Sequence, residues 1–71
     1  MDRSDYIGHA MNDLKSAYKK IQLSEGVLER SRSVSSGTLY SMRKAVNAIK
    51  TALDKLDEEL GEALDDEERR A

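Results

Sequence analysis

The sequence predicts an all-α fold, an antiparallel two-helix hairpin that dimerises into a four-helix bundle. Three observations favour it: two apolar stripes with helical spacing, one serine-rich break between them, and no proline in the chain. Apolar residues that recur at alternating steps of three and four mark one face of a long helix with a coiled-coil-like seam. Charged residues make up 37% of the chain, and their signs are interleaved through its first two thirds, as is typical of solvated helix faces.

The first stripe predicts helix 1 over about residues 4–31. Asp2 and Ser4 are N-cap candidates, and Asp5 is placed to interact with the positive end of the helix dipole. Glu25 occupies a position of the stripe that should be apolar, and Gly26 follows it, so a bend is expected there. The residues of this stripe are Ile7, Met11, Leu14, Tyr18, Ile21 and Leu28.

The second stripe predicts helix 2 over about residues 38–68, after a loop over about residues 32–37. Residues 31–37 contain four serines and a glycine, which compete with helix through local hydrogen bonds and backbone freedom. This composition argues against the alternative of one continuous helix. Residues 64–71 are expected to fray. The second stripe consists of Leu39, Met42, Val46, Ile49, Leu53, Leu56 and Leu60, and it ends at Ala63.

The stripes and their flanking alanines are together wider than a single helix–helix contact requires. Ala10 and Ala17 flank the first stripe, Ala45 and Ala52 flank the second, and Tyr6 is expected to pack as well. A chain of 71 residues without cysteine has a thin core and no disulfide to reinforce it. We therefore expect both stripes to form the oligomer seam of a homodimer. A complex with another helical protein, a monomer and a higher oligomer are the alternatives.

The charges are unevenly distributed along the chain. Residues 1–53 contain nine basic and five acidic residues, whereas residues 54–71 contain three basic and nine acidic ones. In a hairpin this makes the loop end basic and the end with the termini acidic. Because opposite charges attract, two hairpins are expected to pack with their loops at opposite ends.

Three apolar residues fall outside the stripes, and two interpretations are open. In the first, helix 1 rotates near Gly26, so that Leu23 and Val27 close a small core at the loop end together with Val34. In the second, Leu23, Val27 and Tyr40 form a possible partner surface.

No catalytic or metal-binding pattern is present in the sequence. His9, the sole histidine, falls opposite the first stripe and has no second histidine or cysteine to share a metal with. The acidic run over residues 54–68 lacks the EF-hand order of ligands and any Glu-x-x-His pair. We therefore expect no enzyme activity, no cofactor and no metal site.

The favoured function is a non-enzymatic protein–protein interaction module: a small regulator, adaptor or assembly subunit that acts through helical-bundle association. The alternative is a small nucleic-acid-binding regulator with a basic loop-end surface, although the net charge of −2 provides no general attraction to phosphate. Possible nucleic-acid contacts are Lys15, Lys19, Arg30, Arg32, Arg43 and Lys44.

No membrane association is expected, because the chain has no apolar run of about 18 residues. The polar N-terminus has no apolar stretch of the signal-peptide type, so the expected location is cytoplasmic.

Overall fold

The fold is a hairpin of two long helices. The computed structural model describes residues 2–70, in which α1 spans Arg3–Ser31 and α2 spans Ser36–Arg70. The helices pack against each other along one face, and no strand occurs within these residues. The all-α hairpin is thereby confirmed, and α2 begins before and ends after the expected range of 38–68. Neither helix includes, within the described residues, a stretch long and apolar enough to cross a bilayer.

Hydrogen bonds between the two ends of the chain show that the helices are antiparallel. The Ser4 backbone N–H donates to Glu67 Oε1 at 3.2 Å, and the Ser4 hydroxyl donates to Glu67 Oε2 at 2.8 Å. The first backbone N–H groups of a helix have no partner within that helix, so the last turn of α2 supplies one to α1. Asp2 is the N-cap of α1, and its N–H donates to the Asp5 carboxylate at 3.1 Å.

The last residues of α2 are held in the helix by the same contact. Residues 64–70 are helical, so the expectation that they fray is wrong for this range. Glu67 lies in the last turn and is partly buried against the start of α1, which fixes the turn in place. Ala71 lies outside the described residues.

The first helix ends in a left-handed cap made without glycine. Arg32 adopts φ 53° and ψ 35°. Its N–H donates to the Glu29 carbonyl at 3.3 Å, and the Ser33 N–H donates to the Leu28 carbonyl at 3.2 Å. This pair of bonds is the Schellman motif, whose left-handed residue is usually glycine because a Cβ atom is unfavourable there.

Serine side chains shape the short connection that follows. The Ser35 hydroxyl accepts the Thr38 N–H at 3.3 Å, and the Ser35 carbonyl accepts the Leu39 N–H at 3.2 Å. Ser35 is therefore the N-cap of α2, as its residue type favours. The Ser31 and Ser33 hydroxyls are 2.6 Å apart and share a hydrogen bond. These local bonds account for a break of only four residues, 32–35, between the helices.

The core of the hairpin is thin. Among the described side chains only Met11, Val46 and Ala63 are buried. Tyr18 is partly buried, but Tyr6 is 62% exposed, so the expectation that Tyr6 packs is wrong for the hairpin. The reason is register, because Tyr6 precedes the first residue of the stripe and lies on the flank of α1. The remaining stripe residues are only partly buried, namely Ile7, Leu14, Ile21, Leu28, Leu39, Met42, Ile49, Leu53, Leu56 and Leu60.

We expect Arg32→Gly to stabilise the hairpin by about 0.5–1 kcal/mol, because glycine adopts the left-handed conformation without a Cβ penalty. Urea unfolding followed by circular dichroism at one fixed protein concentration measures this change. Arg32→Ala, which removes the charge but keeps a Cβ atom, is the control and should give no comparable gain. Equal gains from both variants would attribute the effect to charge rather than to the backbone.

We expect Glu67→Ala to destabilise the fold by about 1 kcal/mol, because it removes the acceptor for two hydrogen bonds at the start of α1. Glu68→Ala changes an exposed neighbour of the same type and should have a much smaller effect. The free energies of unfolding of the two variants, measured side by side, test this. Equal values would contradict the assignment of Glu67 as the cap.

Candidate functional site

The apolar seam between the two helices is long and only partly covered. The molecule measures 55 × 16 × 12 Å, and its radius of gyration is 16.4 Å. A compact domain of the same length has a radius of gyration of about 11 Å. The hairpin exposes 5504 Å² of surface, whereas a compact monomer of 8.0 kDa exposes about 4,450 Å². The apolar stripes therefore lie along a narrow body with little else to cover them.

Cross-helix ion pairs of two arginines distinguish the two sides of this seam. On one side, Arg43 contacts Glu25 at 2.5 Å and Glu29 at 3.0 Å. On the other side, Arg3 contacts Glu59 at 3.7 Å. Residues seven positions apart lie on the same side of a coiled-coil-like pair, so each ion pair identifies the other residues on its side.

The side that contains Arg43 is polar, and we call it the charged flank. Counting in sevens from Glu29 and Arg43 gives large polar or charged residues along most of both helices. Residues at these positions border the seam of a coiled-coil-like pair. The charged flank comprises Lys15, Gln22 and Glu29 of α1 and Arg43, Lys50 and Asp57 of α2.

The opposite side consists of small residues over much of its length, and we call it the small-residue flank. The positions at multiples of seven residues from Arg3 on α1 and from Glu59 on α2 are mostly alanine and serine. Their short side chains leave the edges of the neighbouring seam residues uncovered, which is where another helix can approach closely. The small-residue flank comprises Ala10, Ala17 and Ser24 of α1 and Ala45 and Ala52 of α2.

Glu25, the polar interruption of the first stripe, is explained by its partner on α2. Its side chain is only 16% exposed, and its carboxylate accepts a hydrogen bond from Arg43 Nε. Arg43 also donates to Glu29, and the hydrogen bond and charge of Glu25, followed by the charge of Glu29, raise the pKa of Arg43. The interruption is therefore a charged crosslink between the helices, and α1 continues through Gly26 to Ser31.

The three apolar residues outside the stripes are all exposed. Leu23 is 71% exposed and Val27 is 54% exposed, so neither closes a core at the loop end, and that interpretation is wrong for both. Together with Ser24 and Leu28 they line a shallow, open concavity on α1. Tyr40 is exposed on α2, with Lys44 Nζ 5.2 Å from the centre of its ring. The role of these residues as a partner surface stays a prediction.

The basic residues considered for nucleic-acid binding do not form one free cluster. Arg43 is bound by two carboxylates, and Lys44 lies over the Tyr40 ring, so both charges are already engaged within the hairpin. Nucleic-acid binding stays a prediction, which a gel shift with mixed RNA and DNA at low salt would test. The remaining candidates, Lys15, Lys19, Arg30 and Arg32, are exposed along α1 and at its end.

Over residues 2–70, no group of three or more histidine, cysteine or acidic side chains is placed to hold a metal ion. His9 is exposed on α1.

No family model, curated protein or solved structure matches this chain. Its function is therefore argued from the geometry of the hairpin.

Sequence reasoning identified both stripes and the alanines beside them, but it missed the three ion pairs between the helices. Glu25 lies 18 residues from Arg43 in the chain. The polar residue within an apolar stripe was the available signal, because a mostly enclosed carboxylate requires a partner.

We expect Arg43→Met to lower the stability of the hairpin more than Lys50→Met does. Both substitutions remove one positive charge from the charged flank, but only the first leaves the enclosed Glu25 carboxylate without its partner. Urea midpoints at low and high salt measure the difference, which should shrink as salt screens the ion pair. Equal midpoints for both variants at low salt would show that the crosslink contributes nothing.

Proposed function

We propose that this protein is a non-enzymatic protein–protein interaction module, a small regulator, adaptor or assembly subunit. It acts by helical-bundle association, first of all with a second copy of itself, which gives a four-helix bundle. The observation that carries this proposal is the exposed length of the seam: the stripes extend over both helices, interrupted only at Glu25, yet only three described side chains are buried.

The excess surface supports the proposal quantitatively. The hairpin exposes about 1,000 Å² more than a compact monomer of its mass would. If two chains each cover that excess, the buried total is about 2,000 Å², the size of stable protein–protein interfaces. Buried area alone does not set affinity, because association also costs rotational and translational freedom. Burial of the apolar seam supplies the favourable free energy that opposes this cost.

The composition supports the same conclusion. No disulfide, metal site or second layer of structure reinforces residues 2–70. A hairpin of two helices has less core than most domains of independent stability, and oligomerisation is the usual remedy in small helical proteins. The surface available for it is the seam together with its small-residue flank.

Sedimentation equilibrium over a range of concentrations tests the proposal. We expect a mass twice the 8.0 kDa of the chain, and an unfolding midpoint that rises with protein concentration because dissociation is linked to unfolding. Helical circular dichroism at the same concentrations is the control for folding. A well-folded particle with the mass of one chain, and a midpoint independent of concentration, would contradict self-association.

A further inference from the structure

We propose that the second copy docks on the small-residue flank with its loop at the opposite end. In this arrangement α1 of one copy lies antiparallel to α1 of the other, and the symmetry axis passes beside Ala17. The proposal rests on the self-association proposed above and adds the face, the direction and the register of the contact. Four independent features of the hairpin support it.

The first feature is the contrast between the two flanks. Residues with long side chains border the seam on the charged flank, and Arg43 links both helices there. On the small-residue flank, Ala10, Ser24 and Ala45 are exposed and short, so another backbone can come close to the seam. Close approach through small residues is how helices bury the sides of the larger residues beside them. A second hairpin is therefore accommodated on this flank and hindered on the other.

The second feature is that the small-residue flank of α1 is complementary to the same flank of a second, antiparallel α1. The pair is centred on Ala17, the middle residue of the helix. In an antiparallel pair centred there, Ala10 faces Ser24 of the partner. Asp13 and Lys20 lie at the outer edge of the same flank. Reversal about Ala17 places Asp13 of one copy opposite residue 21 of the other, one position from Lys20. The pairing therefore places small residues against small ones and an acid against a base, twice per dimer.

The third feature concerns exposed apolar groups. The same register places Tyr6 of one copy beside Val27 of the other, and both are exposed in the hairpin, at 62% and 54%. The concavity on α1 runs from Val27 past Ser24, so it opens where the tyrosine ring of the other copy would lie. Docking therefore accounts for the exposure of Tyr6 and Val27 together, because each covers the other.

The fourth feature is the net charge at the two ends of the hairpin. Residues 54–70 carry nine acidic side chains against three basic ones, whereas the loop end is basic. With loops at opposite ends, each acidic end lies beside a basic end. The alternative twofold arrangement, with both loops at one end, places the acidic ends together. It also packs α1 of one copy against α2 of the other. Tyr6 then lies beside Glu62 of the other copy, and Val27 lies beside its Ser41.

Single cysteines test the proposal directly, because the chain has no thiol of its own. We expect Ala17→Cys chains to cross-link to one another under mild oxidation or with a short bifunctional thiol reagent, because the two residues meet at the symmetry axis. Lys15→Cys is the matched control: it lies at the same height on the charged flank and should remain uncross-linked. Dimers of Lys15→Cys instead of Ala17→Cys would overturn the choice of face.

The same reagents decide the direction. An equal mixture of Ala17→Cys and Ala52→Cys chains, with one of them carrying a mass tag, gives mixed dimers only if the loops lie together and α1 stacks on α2. We expect Ala17 dimers and Ala52 dimers without mixed ones. Predominantly mixed dimers would overturn the opposed arrangement.

A charge exchange tests the register. Asp13→Lys should weaken dimerisation about 10-fold, since it places two pairs of like charges across the contact, and Lys20→Asp should do the same. The double variant should restore the dimer. Asp13 and Lys20 are seven residues apart on one helix and do not contact each other within it, so rescue reports on the partner. Rescue of Asp13→Lys by Lys55→Asp, and not by Lys20→Asp, would instead indicate the loops-together arrangement.

The two proposals fail in different ways. If sedimentation of the unmodified chain gives the mass of one hairpin, self-association fails and this proposal fails with it. If the mass is that of a dimer but Ala17→Cys does not cross-link, self-association stands and the proposed face and direction are wrong. Helical circular dichroism of every cysteine and charge variant confirms that a lost dimer is not a lost fold.

Discussion

The fold depends on burial of apolar side chains along the line where α1 meets α2. Without that contact neither helix has anything to cover its stripe, because the four-residue connection and the end-to-end hydrogen bonds are too few to hold two long helices together. The local hydrogen bonds determine where each helix begins and ends and how the two ends of the hairpin meet. Ser35 begins the second helix, Arg32 ends the first, and Glu67 joins the two ends of the chain. None of them supplies the driving force.

The distribution of polar groups along the seam adds specificity to this non-directional attraction. Apolar stripes with a repeat of seven residues can slide past each other by one heptad with little loss of contact. Glu25 removes that freedom, because its mostly enclosed carboxylate requires Arg43 at one register and would remain without a cation at others. The bond from Ser4 to Glu67 fixes the same register at the far end.

The helices, their approximate limits and the serine-rich break could be predicted from the sequence, because they depend on local periodicity and local hydrogen bonding. The cross-helix contacts could not, because Ser4 and Glu67 are 63 residues apart and meet only after the register is set. Tyr6 shows the same limit, since an aromatic residue next to a stripe is packed or exposed according to a small rotation of the helix. The alanines beside the stripes were visible in the sequence, but only the ion pairs of Arg3 and Arg43 show that those of both helices share one side.

The backbone at Arg32 has a consequence for the topology that a self-associated form would adopt. A residue with a Cβ atom is about 1–2 kcal/mol less favourable in the left-handed conformation, so the backbone at Arg32 is strained. Extending the helix through residues 32–35 would remove that strain and turn the chain into a single rod about 100 Å long. Two such rods would form the same seam between chains, a domain swap in which each arm exchanges its partner. If the protein self-associates, the conformation of residues 32–35 would decide between paired hairpins and exchanged rods, and the contacts between α1 and α2 would be the same in both.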